Sequence, residues 1–218
     1  MTKKEIMTDN LKDLTKEKSF NNILCEGLKL LKPSRSRIIF MLIILVIIIF
    51  PVFNIAFKKN TLEEFLSIIE LSNDVIKDLF GIIFTGYALF QALVGANLLK
   101  QMLISKIGKN SDFKTYNLYF FIISIMYLFI ILLNFILIIT LKNIDYSCIK
   151  NINVTIINIL AFIFIIVYIE INVFAIFETK SFVVNIYHCF NISALSEGID
   201  MLKDDIEKSN DKNDKNDK

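Results

Sequence analysis

Residues 38–57 read IIFMLIILVIIIFPVFNIAF, 20 residues with no charge among them. Wound as helix at ~1.5 Å per residue, about 20 mostly apolar residues cross a ~30 Å hydrocarbon core. Outward from that run, Asn117–Leu141 (25 residues) and Thr155–Phe177 (23 residues) are as long, and Leu79–Leu99 (21 residues) is a more polar fourth. The chain of 218 residues is 55% hydrophobic with a mean hydropathy of +0.57, more than a soluble domain of this size carries. No run alternates with period two, and each exceeds the ~10-residue strand of a membrane barrel. The expected fold is all-α: an integral membrane protein built as a four-transmembrane-helix bundle.

Charge sets the expected orientation. Lys and Arg number nine in 1–37, three in 58–78, four in 100–116, two in 142–154 and six in 178–218. With four spans, the first, third and last of these segments share one side. Positive charge is retained in the cytoplasm, so N-in/C-in follows. The resulting plan is a cytoplasmic N-terminal segment (1–37), spans at 38–57, 79–99, 117–141 and 155–177, an outer amphipathic helix (58–78), and a cytoplasmic helix with a disordered tail (178–218). The first run is too long for a signal peptide and no small-residue cleavage site follows, so it reads as a retained anchor. Cys25, Cys148 and Cys189 show no paired spacing. The plan puts Cys148 outside and the other two inside, as free thiols.

Several local signals fit this plan. Phe20, Ile23, Leu24, Leu28 and Leu31 recur at helical spacing and predict an amphipathic helix on the cytoplasmic membrane face. Lys32, Arg35 and Arg37 would anchor the entry to the first span. Pro51 predicts a kink or the end of regular helix near the outer side. Thr61-Leu-Glu-Glu64 spells a capping box. The helix it opens carries Glu63, Glu64, Glu70, Asp74 and Asp78, a solvated face or an acidic vestibule that concentrates cations. Tyr116 and Tyr119 sit where an aromatic belt belongs. Asn134 is the one conspicuous polar residue inside the third span. Residues 210–218, three repeats of Asn-Asp-Lys, have a disordered composition. The bias toward Ile, Asn, Lys and Phe suggests a bacterium, where the sequons at Asn153 and Asn191 would be idle.

The strongest functional signal is a stripe in the 79–99 segment. Gly81, Thr85, Ala88, Ala92 and Gly95 follow one another at steps of 4, 3, 4 and 3. Small residues let helix backbones approach in lipid, where packing replaces the missing hydrophobic drive. Such a stripe is a packing seam, within one subunit or between subunits, or the wall of a narrow pore. Gln91, Asn97 and Gln101 lie beside it. Glu170 is the only ionisable residue deep in the fourth span, ~10 Å from its cytoplasmic end. A charge near the bilayer centre costs about 2.5–3.5 kcal/mol on insertion scales, so Glu170 is expected inside the protein, in a polar cluster with Gln91, Asn97 and Gln101. The second span is thereby expected to be the central helix, with the other three facing lipid.

Catalytic chemistry has no foothold. There is no phosphate-binding loop, no dinucleotide fingerprint, no paired acids and no Ser/His/Asp set. His188 stands alone, so neither a metal site nor a cofactor is expected, and the near-balance of Lys with Asp and Glu gives nucleic acid no patch. The expectation is a multi-pass protein of the bacterial cytoplasmic membrane, not an enzyme. Its partners would be the lipid bilayer, further copies of itself and a cytosolic protein. It would act as a pore or membrane-perturbing effector; the alternative is a non-conducting anchor or immunity subunit for a partner. In overall plan, without a shared motif, the chain is similar to the small four-span effectors of bacterial anti-phage systems.

Overall fold

Long apolar stretches must satisfy their backbone internally, and they do so here as helix. A computed structural model describes the chain except for residues 1, 17, 59, 108–109, 144–152 and 217–218. In chain order the elements are α1 (Lys3–Thr15), α2 (Phe20–Leu28), α3 (Arg35–Ala56), α4 (Thr61–Leu93), α5 (Ala96–Ile104), β1 (Lys106–Ile107), β2 (Asn110–Ser111), α6 (Asp112–Lys142) and α7 (Val154–Asn216). Helices α3, α4, α6 and α7 are each long and apolar enough to cross a membrane. The fold is the expected all-α bundle. Most of the connection between the third and fourth spans, with Cys148, falls in 144–152, outside the described residues.

Side-chain contacts fix the register of the long helices. Phe53 meets Phe162 and Phe40 stacks on Phe177, so α3 and α7 run antiparallel with their apolar runs level. On α6, Asn134 meets Tyr168 and Tyr119 meets Glu178, which brings the 117–141 run to the same level. Only residues 57–60 join α3 to α4. Helix α4 therefore turns straight back beside its neighbours: Phe65 packs edge-on against Phe164 and Tyr168, and Ser72 bonds Asn172. The first twenty or so residues of α4 lie level with the other three apolar runs, and the helix continues past the end marked by Arg37 and Glu178.

This register corrects the sequence reading in two respects. Thr61–Asp78 has no length of connecting chain on which to lie apart as an outer surface helix. Residues 79–99 are not one helix either, because α4 ends at Leu93 and α5 starts at Ala96, with Val94 and Gly95 extended or irregular between them. Thr61 also differs. Its hydroxyl donates to the carbonyls of Lys58 (2.8 Å) and Ile55 (3.0 Å) instead of capping its own helix. The tight connection presents it with the orphan carbonyls at the end of α3. Pro51 lies inside α3, which continues to Ala56.

Helix α7 shares the centre of the bundle with α4; each packs against the other three long helices. Ile165, Tyr168, Asn172, Ala175, Thr179, Phe182, Ile186, Cys189 and Ser193 fall at alternating steps of 3 and 4, and all but the partly buried Ile186 are buried. That is a sustained heptad seam. Helix α7 packs on α3, α4, α5 and α6. Its partner stripe on α4 is Phe65, Ile69, Ser72, Ile76, Leu79, Ile83, Gly86 and Phe90, again at 4/3 steps. At Gly86 the Phe182 ring lies against the bare backbone of α4: a Cβ there would lie 2.5 Å from Phe182 Cζ. The helix continues unbroken to Asn216, where composition predicted a disordered tail. Extending an existing helix adds a hydrogen bond per residue without a new nucleus.

The N-terminal segment folds onto the bundle. Thr2 and Glu5 form a true capping box at the start of α1. The amphipathic α2 docks on α6, where Gly27 approaches so closely that a Cβ would sit 3.0 Å from Ile122 Cβ. Ile23 and Leu24 are half-buried, while Phe20 and Leu28 stay exposed.

Candidate functional site

Polar groups buried in the bundle gather along α7. Ser72 donates to Asn172 Oδ1 at 2.7 Å, and Asn172 donates to the Tyr168 carbonyl at 2.8 Å. The Tyr168 hydroxyl donates to Asn134 Oδ1 at 3.0 Å. Two turns further, the Tyr127 hydroxyl donates to the Ala175 carbonyl and lies 2.5 Å from the Thr179 hydroxyl. Apart from the Asn172–Tyr168 bond within α7, each ties two helices together, as interhelical hydrogen bonds in lipid do, for about 0.6–2 kcal/mol apiece. Asn134, picked out by sequence, is fully buried in this column.

The column ends in a charge cluster. Arg37 Nη1 lies 2.5 Å from Glu178 Oε1, and its Nη2 donates to Ser181 Oγ at 2.8 Å. The Tyr119 hydroxyl donates to Glu178 Oε2 at 3.1 Å. Glu178 is wholly buried. A carboxylate in such a place persists only when both oxygens are paired, and here both are. Arg37 therefore turns inward instead of anchoring to headgroups, and Tyr116 and Tyr119 are buried instead of forming a lipid belt. A cavity of about 240 Å³ opens beside the cluster, lined by Thr115, Ser181 and Asn185 among others.

The small-residue stripe lies elsewhere. Gly81, Thr85, Ala88, Ala92 and Gly95 are all exposed, and nothing lies within 4 Å of a Cβ built on Gly81 or Gly95. The stripe is not the seam inside the subunit; the Ile- and Phe-rich stripe of α4 is. Traced back along α4 at the same steps, the outward face carries Glu63, Ser67, Glu70, Asp74, Lys77 and Asp78, all exposed. Glu70 pairs with Lys142 at 2.9 Å and Asp74 with Lys77 at 2.9 Å. Since Ser72 bonds Asn172, six residues along α7 from Glu178, Glu70 and Asp74 sit ~6–12 Å inside the level of the Arg37–Glu178 pair.

Of the expected cluster of Gln91, Asn97, Gln101 and Glu170, Glu170 is not brought to Gln91 or Gln101. Gln91 is on the exposed face of α4, and the Asn97 side chain lies outside what is described. Gln101 is on α5, whose end meets the start of α6 through Ser105 and Asp112, beyond the Glu178 level. Glu170 lies two turns of α7 to the other side of that level, in an apolar groove between α3 and α6. Its Oε1 is buried with no hydrogen-bond partner.

Lys114, at the base of α6, clamps the N-terminal segment. Its Nζ lies 2.6 Å from Asp13 and 2.8 Å from Glu26, and Lys18 also reaches Glu26 at 2.7 Å. The Lys114 hydrogen bond holds the Asp13 carboxyl below the usual carboxylate range. Burial pushes Glu26 up, but hydrogen bonds from Lys114 and Lys18 outweigh it and hold that carboxyl low as well. Asn10 adds a 2.6 Å hydrogen bond to the Leu103 carbonyl.

Among the described residues no group of three or more His, Cys, Asp or Glu is placed to hold a metal ion. Comparison with protein families, with curated proteins and with solved structures finds no match. Sequence reasoning missed Glu178, which directly follows the fourth apolar run and reads there as a boundary residue. The signal that could have found it is the 3/4 spacing of Tyr168, Asn172 and Thr179, which turns one polar face of α7 inward beside it.

Proposed function

We propose that this chain is the subunit of a self-associating multi-pass membrane assembly in which the outward face of α4 meets other copies around an aqueous path, so that the assembly acts as a pore or membrane-perturbing effector. One observation carries the reading: charges on α4 stand exposed at the depth of three uncharged or nearly uncharged apolar helices. A lone charge near the bilayer centre costs about 2.5–3.5 kcal/mol, and the Glu70–Lys142 and Asp74–Lys77 pairs, half-exposed or more, would reduce that cost in lipid without removing it. Facing water in a central path, they cost little, and over the whole face Glu63, Glu70, Asp74 and Asp78 outnumber Lys77 and Lys142, which favours cations. The stripe from Gly81 to Ala92 continues the same face and suits close helix approach between subunits. In this reading the crossing part of α4 is its first twenty or so residues, the Arg37 end is cytoplasmic, and Lys142 stands at the outer end.

The runner-up is a non-conducting anchor for a cytosolic partner. It is favoured by the helical platform that α1, α2, α5 and the far half of α7 build beyond the Arg37 end. Liposomes loaded with a potassium gradient separate the two. A pore dissipates the gradient, and Glu70→Gln with Asp74→Asn lowers its preference for cations over anions. Tight vesicles at protein densities where crosslinking shows oligomers would refute the pore and leave the anchor.

A further inference from the structure

Helix α3 packs along one side of α7 and leaves a groove of about 960 Å³ between itself and α6. This is the upper end of the volume range of small-molecule sites. Every side chain lining it is apolar except one. Met41 of α3, Phe129 of α6 and Val167 and Phe174 of α7 form walls and floor, and Leu28 of α2 covers one end. The exception is Glu170, whose Oε1 is buried without a hydrogen-bond partner. Phe129 and Val167 are exposed, so the groove opens sideways, in the direction of lipid.

The occupant is constrained from three directions. The walls demand an apolar body. A carboxyl oxygen left unpaired in an apolar site lacks a donor, and a charged donor completes it best in a low dielectric. Glu170 lies eight residues along α7 from Glu178, ~12 Å inside the level of the Arg37 pair. A phospholipid headgroup cannot follow it there, and an ionised fatty acid would set two carboxylates face to face. A small cationic head on a long apolar body satisfies all three.

We propose that this groove is a binding site for a membrane-dissolved amine, an alkyl or ring body with one protonatable nitrogen, which pairs with Glu170. The site is complete within one subunit and does not rest on self-association or conduction.

The test uses the full-length protein in phosphatidylcholine nanodiscs with dodecylamine as the probe. Dodecanol and dodecanoate serve as matched controls, and native mass spectrometry counts bound molecules. Saturable binding of about one dodecylamine per chain is expected, at least about tenfold tighter than either control. Glu170→Gln should weaken the amine about tenfold and leave dodecanol unchanged. Val167→Phe, which fills the groove from an exposed position, should exclude both. Equal binding of amine and alcohol, undiminished amine binding to Glu170→Gln, or no saturable binding would each overturn the proposal. If Glu170→Gln fails to fold, Val167→Phe still decides: undiminished amine binding there would place the amine elsewhere.

Discussion

Arg37 and Glu178 stand 141 positions apart in sequence and meet at 2.5 Å, joining the start of α3 to the middle of α7. Glu178 has no exposed surface, whereas Arg37 keeps a fifth of its side chain in contact with solvent. The pair is closed by Tyr119 on the second carboxylate oxygen and Ser181 on the second guanidinium nitrogen. Because α3 packs chiefly on α7, this contact pins it at one end while Phe53 and Phe162 hold the other.

Breaking this pair from one side should be worse than removing it. Arg37→Met leaves a buried carboxylate without its cation, a loss expected at about 3–5 kcal/mol. Arg37→Met combined with Glu178→Leu removes both charges and should recover most of that. Denaturation midpoints of the purified variants in mild detergent give the comparison. A double variant as unstable as the sum of the two singles would mean that the residues act independently.

Gly81 and Gly86 lie five residues apart on α4 and should respond in opposite ways. A side chain at Gly81 meets nothing within 4 Å, so Gly81→Leu should leave the subunit stable and change only its association. Gly86→Ala drives a methyl into Phe182, at a cost of about 1–3 kcal/mol to the subunit itself. Size-exclusion profiles and melting midpoints separate the two effects. Oligomers of unchanged size in both Gly81→Leu and Ala88→Leu would remove the outward face of α4 as the subunit contact.

Three of the four long helices were legible because Ile38–Phe57, Asn117–Leu141 and Thr155–Phe177 are apolar from end to end. The level of α4 was not. Hydropathy locates the window with the fewest charges, 79–99, whereas the short link at 57–60 sets how far down the helix starts. Arg37, Tyr119 and Glu178 each look like an interface residue when read singly. Only the crossing of α3, α6 and α7 shows that they complete one another. The inward seam of α7 was masked for a related reason. Its lipid-facing positions, such as Ile163 and Val167, are as apolar as its buried ones, so periodicity carries little contrast.

Acid should release the N-terminal segment before the bundle. Asp13 and Glu26 are held below the usual carboxylate range, chiefly through Lys114. A lowered carboxyl stabilises the docked form above its ordinary pKa of about 4, and that contribution fades as pH falls through the lowered value. A dye on the exposed Cys25 should shift its emission in that acid range while helix content holds. Lys114→Met should bring the released signal to neutral pH. Persistent docking of α1 and α2 in Lys114→Met would show that apolar contacts alone hold them.

Cysteine labelling tests the orientation, with one adjustment that burial imposes. Cys25 is exposed, but Cys189 is wholly buried, so its silence says nothing about sidedness. The informative pair is Cys25 and Cys148, on sequence segments that N-in/C-in places on opposite faces. In intact cells a membrane-impermeant maleimide should react with Cys148 and spare Cys25. In inverted vesicles Cys25 should react and Cys148 should not. Cys189→Ser removes the buried thiol as a source of slow background, and the vacated site can be replaced by Lys180→Cys, an exposed position two residues past Glu178. That thiol should behave as Cys25 does, because both lie beyond the Arg37 end of the bundle. Labelling of Lys180→Cys together with Cys148 from outside would overturn the even number of crossings.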